Sequence, residues 1–114
     1  MPADCLFCRM ASGEIPVAKV HEDEHVFAIR DINPQAPTHV LVIPTAHVGS
    51  AAELDDADGA MLGRLFAVAA RLAAGDGLDG GWRLVTNVGR DAGQSVPHLH
   101  VHLLGGRAMA WPPG

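Results

Sequence analysis

Aromatic side chains make up only 4% of the 114 residues, so any core must be mostly aliphatic. Basic residues are scarce too: 8 Lys plus Arg stand against 13 Asp plus Glu, a formal charge of −5. A broad grip on nucleic acid needs a basic face that neutralises phosphates, which this balance excludes, and any phosphate must be held locally. No apolar run approaches the roughly 20 residues that span a bilayer. Met1-Pro2-Ala3-Asp4 has neither the basic nor the long apolar region of a secretion leader, and the expectation is a cytoplasmic protein with no membrane or nucleic-acid partner. Cysteine is limited to Cys5 and Cys8. Two are too few for a disulfide-built secreted scaffold, and their close spacing points toward metal or redox chemistry.

What is present is a 48% hydrophobic chain of the size of one domain, expected to span residues 1–114. A short helix fits residues 5–13, ending before Pro16. Val17–Val20 and Val26–Ile29 read as two strands joined by a solvated acidic turn, Glu22-Asp23-Glu24. Asp31–Pro37 is a loop leading into the buried strand Thr38–Pro44. Met61, Leu62, Leu65, Phe66, Ala69 and Leu72 recur at helical spacing, with Asp55 or Asp56 as N-cap and Gly75 as stop. Trp82–Val88 is a further strand, Gly89–Gly93 a turn, and His98–Leu104 the last strand. Strands cluster on both sides of one long helix without βαβ alternation, so the class is α+β with a mainly antiparallel sheet.

The sharpest signal is His98-Leu99-His100-Val101-His102-Leu103-Leu104. On a strand this alternation sends three imidazoles to one face and three aliphatic side chains to the other. Three core-filling histidines would each need a buried partner, which makes a chemical role the better reading. A His-x-His pair can chelate zinc, whereas same-face positions about 6.8 Å apart also suit separate tasks on a phosphate ester. Spacing leaves both open. The preceding Asn87–Ser95 stretch offers an amide, a hydroxyl and open backbone N–H groups, which bind phosphate without net positive charge.

Together with Asp31-Ile32-Asn33-Pro34-Gln35-Ala36-Pro37-Thr38-His39, Gly93-Gln94-Ser95-Val96, Gly105-Gly106-Arg107 and Trp111-Pro112-Pro113-Gly114, these residues resemble the histidine-triad nucleotide hydrolase family over nearly the whole chain, and within it the Hint branch. Gly105-Gly106 stands where the dinucleoside-polyphosphate branch has proline, and His102 where the uridylyltransferase branch has glutamine. The resemblance implies a five-stranded antiparallel sheet with one long and one short helix, continued across a two-fold homodimer. It implies hydrolysis of purine nucleoside 5′-phosphoramidates, adenosine phosphoramidate or aminoacyl-AMP in type, with His100 attacking the α-phosphorus to give a nucleotidyl-histidine. His102 would face the phosphate or leaving group, and His39 would orient the triad. Asn87, Gly93 and Ser95 would donate to the phosphate. Asp31, otherwise an ordinary turn residue, would accept from both ribose hydroxyls. Leu6, Phe7, Met10, Ile29, Ile32 and Val96 would line the base and ribose pocket, with Ile29 where the branch often has phenylalanine. Trp111, in the tail 105–114, would reach toward the partner's site.

Cys5-x-x-Cys8 by itself is half of a zinc site; a thioredoxin-like redox motif would need a preceding strand. The family's zinc-containing bacterial members complete such a pair with histidines at the positions of His47 and His98, which implies a closed, structural zinc at Cys5, Cys8, His47 and His98 and no organic cofactor. Three rival readings are a dinucleoside polyphosphate hydrolase, a nucleotide-binding interaction module with incidental hydrolysis, and a catalytic zinc hydrolase. His21 and His25 are expected to be solvated or near the subunit interface.

Overall fold

In the computed structural model, which describes residues 3–114, one five-stranded antiparallel sheet carries a helix on each face. Met1 and Pro2, the start of the stretch examined for a leader, lie outside those residues. In chain order the elements are α1 (Leu6–Ala11), β1 (His21–Glu22), β2 (Val26–Arg30), β3 (Thr38–Pro44), α2 (Gly59–Gly75), β4 (Trp82–Val85) and β5 (Val101–Gly105). The sheet order is β1-β2-β3-β5-β4, and every pairing is antiparallel. The expected α+β class is the one found. No helix among the described residues is long and apolar enough to cross a membrane.

Pleating on the central strands makes two cores. Val40 and Val42 of β3, Val26 and Ala28 of β2, and Leu99, Val101 and Leu103 pack against Leu65, Val68, Ala69 and Ala73 of α2. Leu41, Ile43, Phe27 and Ile29 point the other way, against Cys5, Phe7 and Cys8 of the N-terminal segment. Every residue of β3 is buried, as its aliphatic run requires of a strand covered on both faces.

Several boundaries differ from expectation. The first strand is His21–Glu22, not Val17–Val20; only Val20 N–H reaches the ladder, bonding Ala28 O at 2.8 Å. The hairpin turn sets this register, because Asp23 N–H donates to Val26 O at 2.9 Å. A 3₁₀ turn at Asp56–Asp58, capped by Asp55, precedes α2, and Asp76 caps its C-terminus, with Gly77 beyond at φ +70°. Phe66 lies off the buried stripe at 53% exposure, while Val68 and Ala73 lie on it. β4 ends at Val85, and beyond it the Thr86 hydroxyl donates to His100 O at 2.9 Å. β5 begins at Val101 instead of His98, for reasons that belong to the site.

The acidic turn is more than a solvated corner. Asp23 Oδ1 accepts from the backbone N–H groups of His25 and Val26 at 2.7 and 2.9 Å, and Oδ2 accepts from His21 Nε2 at 2.7 Å and Arg64 of α2 at 2.9 Å. His21 is therefore held in the hairpin, whereas His25 is exposed. Burial by itself raises the Asp23 pKa, but these four donors outweigh it and hold the carboxyl well below the usual carboxylate range. A depressed folded-state pKa gives stability that is complete above the unfolded value near 3.9 and lost as pH falls toward the folded one. Asp23→Asn should therefore cost about 1.5–3 kcal/mol in urea unfolding at pH 7. The gap to wild type should stay constant down to about pH 5 and shrink between about pH 4 and 2; a gap independent of pH would refute the ionic role.

Candidate active site and metal centre

The triad segment leaves the ladder where its hydrogen bonds are needed elsewhere. Val42 and Val101 form the last pair of β3 with β5. Beyond it Leu99 N–H donates to Val48 O at 2.6 Å, and the His98 carbonyl accepts from His100 Nδ1 at 2.7 Å. Side-chain alternation nevertheless survives: Leu99, Val101 and Leu103 stay in the α2-side core, and the His98 and His100 rings meet Phe7 of α1 edge-on at 5.8 and 5.1 Å between centroids. The histidine face is thus not an open surface, for His98 and His100 are both buried.

Backbone partners fix where each ring carries its proton. A carbonyl can only accept, so His100 carries a proton on Nδ1, and in its neutral form the lone pair is on Nε2. His98 Nε2 lies 2.8 Å from Pro44 O, so its proton sits on Nε2 and Nδ1 is bare. Gln35 N–H donates to His39 Nδ1 at 3.0 Å, which puts the His39 proton on Nε2, 2.9 Å from His102 Nδ1. His102 then accepts at Nδ1 and can offer only its Nε2–H. Burial first, then the neighbouring His100 and His39 rings, push its pKa down to about 4, so it is neutral at pH 7. Asp31 Oδ2 stands 3.5 Å from His39 Nε2 at the edge of this array.

His100 and His102, with ring centroids 5.0 Å apart, open onto a cleft of about 280 Å³. Ten of the predicted residues line it together: Leu6, Phe7, Met10, Ile29, Asp31, Ile32, Ser95, Val96, His100 and His102. His39 supports His102 from behind. Asn87, Gly93 and Trp111 are not among the lining residues; Trp111 is 82% exposed, its ring 6.0 Å from the Arg83 guanidinium. Leu41 also lines the cleft, and Arg30 borders it while its guanidinium turns away to Asp76 at the end of α2; neither had been singled out. Leu41 was available from the period-2 alternation starting at His39. Gln94, quoted above only as a motif residue, is a junction: its Oε1 accepts from Gly89 N–H at 3.0 Å, and its Nε2 donates to Gly49 O at 2.8 Å and Val96 O at 3.0 Å. It ties the Gly89–Gly93 turn, where both glycines take positive φ, to the segment after His47.

Behind the triad, Cys5, Cys8, His47 and His98 converge. Cys5 caps α1 through its thiol, which accepts from Cys8 N–H and so places both sulfurs on one side. His98 Nδ1 lies 3.3 Å from Cys5 Sγ, 3.5 Å from Cys8 Sγ and 3.2 Å from His47 Nδ1, and Cys8 Sγ lies 3.3 Å from His47 Nδ1. A tetrahedral ion with bonds of about 2.3 Å to sulfur and about 2.0–2.1 Å to nitrogen separates its donors by about 3.3–3.8 Å, close to these distances. The bare Nδ1 of His98 suits a ligand role, and the bond from its Nε2–H to Pro44 O holds the ring in that orientation. Burial and the adjacent Cys5 thiol push Cys8 up to about 11, which a bound dication would reverse.

The family profile for the HIT domain matches residues 12–109. The chain belongs to the HIT domain family. It is 50% identical over 111 residues to a 14 kDa zinc-binding protein of Zea mays, covering 96% of this chain and 87% of that one. It is also similar to the crystal structure of a HIT family hydrolase from Legionella pneumophila, with a TM-score of 0.95 at 50% identity over 97% of this chain and 100% of that one. A histidine triad nucleotide-binding protein from Candida albicans superposes with a TM-score of 0.80 at 32% identity, covering 96% and 83% of the two chains. The sheet and long helix described above are thus those of HIT structures.

Proposed function

We propose that this HIT domain, spanning residues 1–114, is a Hint-type hydrolase that cleaves purine nucleoside 5′-phosphoramidates through a nucleotidyl group carried on His100. The observation that carries this reading is the hydrogen bond from His100 Nδ1 to His98 O in a ring that lines the cleft, which in the neutral imidazole leaves the lone pair on Nε2. Attack by that lone pair on the α-phosphorus forms a phosphorus–nitrogen bond and makes the ring cationic, and the His98 carbonyl at 2.7 Å stabilises the charge. The bond from phosphorus to the amine breaks as the nitrogen takes a proton through His102 Nε2–H, which His39 Nε2–H resupplies at His102 Nδ1. Water later cleaves the adduct, returning the proton and freeing the nucleotide and the imidazole.

The other residues take roles suited to their positions. His102 Nε2–H donates to a phosphate oxygen or the departing nitrogen, and His39 holds the ring in that tautomer. Asp31, which lines the cleft and accepts from Asn33 N–H at 2.8 Å, is the ribose acceptor. Ser95 lies in the cleft, and Gly93 and Asn87 precede it in the chain; all three donate to the phosphate. Leu6, Phe7, Met10, Ile29, Ile32 and Val96 enclose base and sugar with apolar surface. A homodimer would bring Trp111 of one copy toward the site of the other; at 82% exposure it has surface available for that contact.

Zinc is the ion that two thiolates and two imidazoles at tetrahedral separations suit, and the maize relative named as zinc-binding supports it. Four protein donors close such a site, so the ion would tie the N-terminal segment to the triad and leave no position for water. Elemental analysis should find one zinc per chain in wild type and a marked loss in Cys8→Ser, with a lower thermal midpoint. Zinc removal that abolishes turnover while the fold persists would instead favour catalytic zinc.

The functional test is amine release from adenosine 5′-phosphoramidate by wild type and by His100→Ala, both checked for folding. Wild type should turn over, and the variant should lose about 10³-fold or more of kcat, as removal of a covalent nucleophile requires. Equal release from both proteins, or faster wild-type cleavage of a dinucleoside triphosphate, would overturn the proposal.

A further inference from the structure

Beneath the loop that carries Asp31, the sheet is fastened by a carboxylate that the reaction does not use. Asp76 caps the C-terminus of α2. Its Oδ1 accepts from Arg30 at 3.0 Å, and its Oδ2 accepts from Arg30 at 2.9 Å and from the Thr38 hydroxyl at 2.8 Å. Arg30 is the last residue of β2 and Thr38 the first of β3. The two donors therefore immediately precede Asp31 and His39. Alternation sends Arg30 and Thr38 to the α2 side and their successors to the cleft side. The loop between them is closed by Asp31 N–H to His39 O at 2.9 Å and pinned by Gln35 N–H to His39 Nδ1 at 3.0 Å.

Stability alone explains this arrangement poorly. A helix C-terminus is the negative end of the helix dipole and disfavours a carboxylate. Arg30 is 51% exposed, and ion pairs that open to solvent add little to global stability. A two-pronged Arg–carboxylate pair is, however, strongly directional, and here it is completed by the hydroxyl of a buried threonine. The cluster fixes geometry as well as adding stability, since Arg30 and Thr38 hold the Asp76 carboxyl below its ordinary range.

We infer that Asp76 is a positioning residue: by drawing Arg30 and Thr38 onto one carboxylate, it sets where Asp31 stands relative to His39 and so governs recognition of the ribose. The inference rests on the nucleotide reading given above. It assigns the fit of the sugar to a residue on the opposite face of the sheet from the cleft.

The test compares equilibrium binding of adenosine 5′-monophosphate and its 2′-deoxy analogue to full-length wild type, Asp76→Ala, Asp76→Asn, Asp31→Ala and the Asp31→Ala/Asp76→Ala double variant. Wild type should prefer the ribonucleotide by about tenfold, the scale of a lost hydrogen bond to a charged acceptor. Asp76→Ala should reduce the preference to about threefold or less and add no further loss in the Asp31→Ala background, since coupled residues are non-additive. Asp76→Asn, which keeps an acceptor but not the paired charge, should fall between. If Asp76→Ala fails to fold, Asp76→Asn and Arg30→Lys, which removes the two-pronged contact, carry the comparison. A merely structural role would weaken both nucleotides equally; an unchanged preference in variants of a discriminating wild type overturns the inference alone. A wild type that binds neither nucleotide, or both equally, overturns the reading of Asp31 as ribose acceptor and this inference with it.

Discussion

His100 gives its one ring proton to the carbonyl of His98, two residues earlier in its own chain. The His98 carbonyl lies outside the ladder, because β5 pairs only from Val101 onward, and is free to accept that bond. The backbone just before the strand is held by Val48 and by the Thr86 hydroxyl, both from outside β5. The sheet thus ends just short of the proposed nucleophile, and the same bond settles which His100 nitrogen carries the proton in the neutral ring. Without it the ring could settle in either tautomer, and Nε2 would hold a lone pair only part of the time.

Three histidines in alternate positions look equivalent along the chain and are not equivalent in space. His98 turns its bare nitrogen toward two thiols and His47; the His100 ring lines the cleft; His102 is held as a donor by His39. What separates them is the backbone group each meets: Pro44 O for His98, His98 O for His100, and Gln35 N–H acting through His39 for His102. Burial reinforces the pattern by lowering the pKa of both His98 and His102. Rings with fixed tautomers can divide donor, acceptor and ligand roles among themselves.

The fold was largely legible because its signals are periodic. The β-branched run Thr38–Pro44 and the 3.6-residue rhythm from Met61 to Leu72 each report a buried face. The cleft lining was legible only through the family resemblance, since apolar residues such as Leu6 and Val96 carry no local mark of a ligand. Features fixed by distant partners stayed hidden. Asp23 reads as a surface acid until Arg64 of α2 is placed beside it, and Asp76 reads as a helix end until Arg30 and Thr38 arrive from 46 and 38 residues away in the chain. Phe66 has helical spacing, yet it falls on the flank of α2 that the sheet does not cover. The start of β5 was misplaced for a related reason: alternation continues through His98-Leu99-His100 after ladder pairing has stopped.

The central claim is that a nucleotidyl group passes through Nε2 of His100. The most direct measurement is rapid quenching of wild type with excess adenosine 5′-phosphoramidate into alkali, where phosphorus–histidine bonds survive, followed by intact-mass analysis and peptide mapping. The account predicts a transient protein species heavier by one adenylyl group, mapped to His100 and accompanied by a burst of amine. Steady amine release with no adduct, or an adduct mapped to another residue, would contradict it.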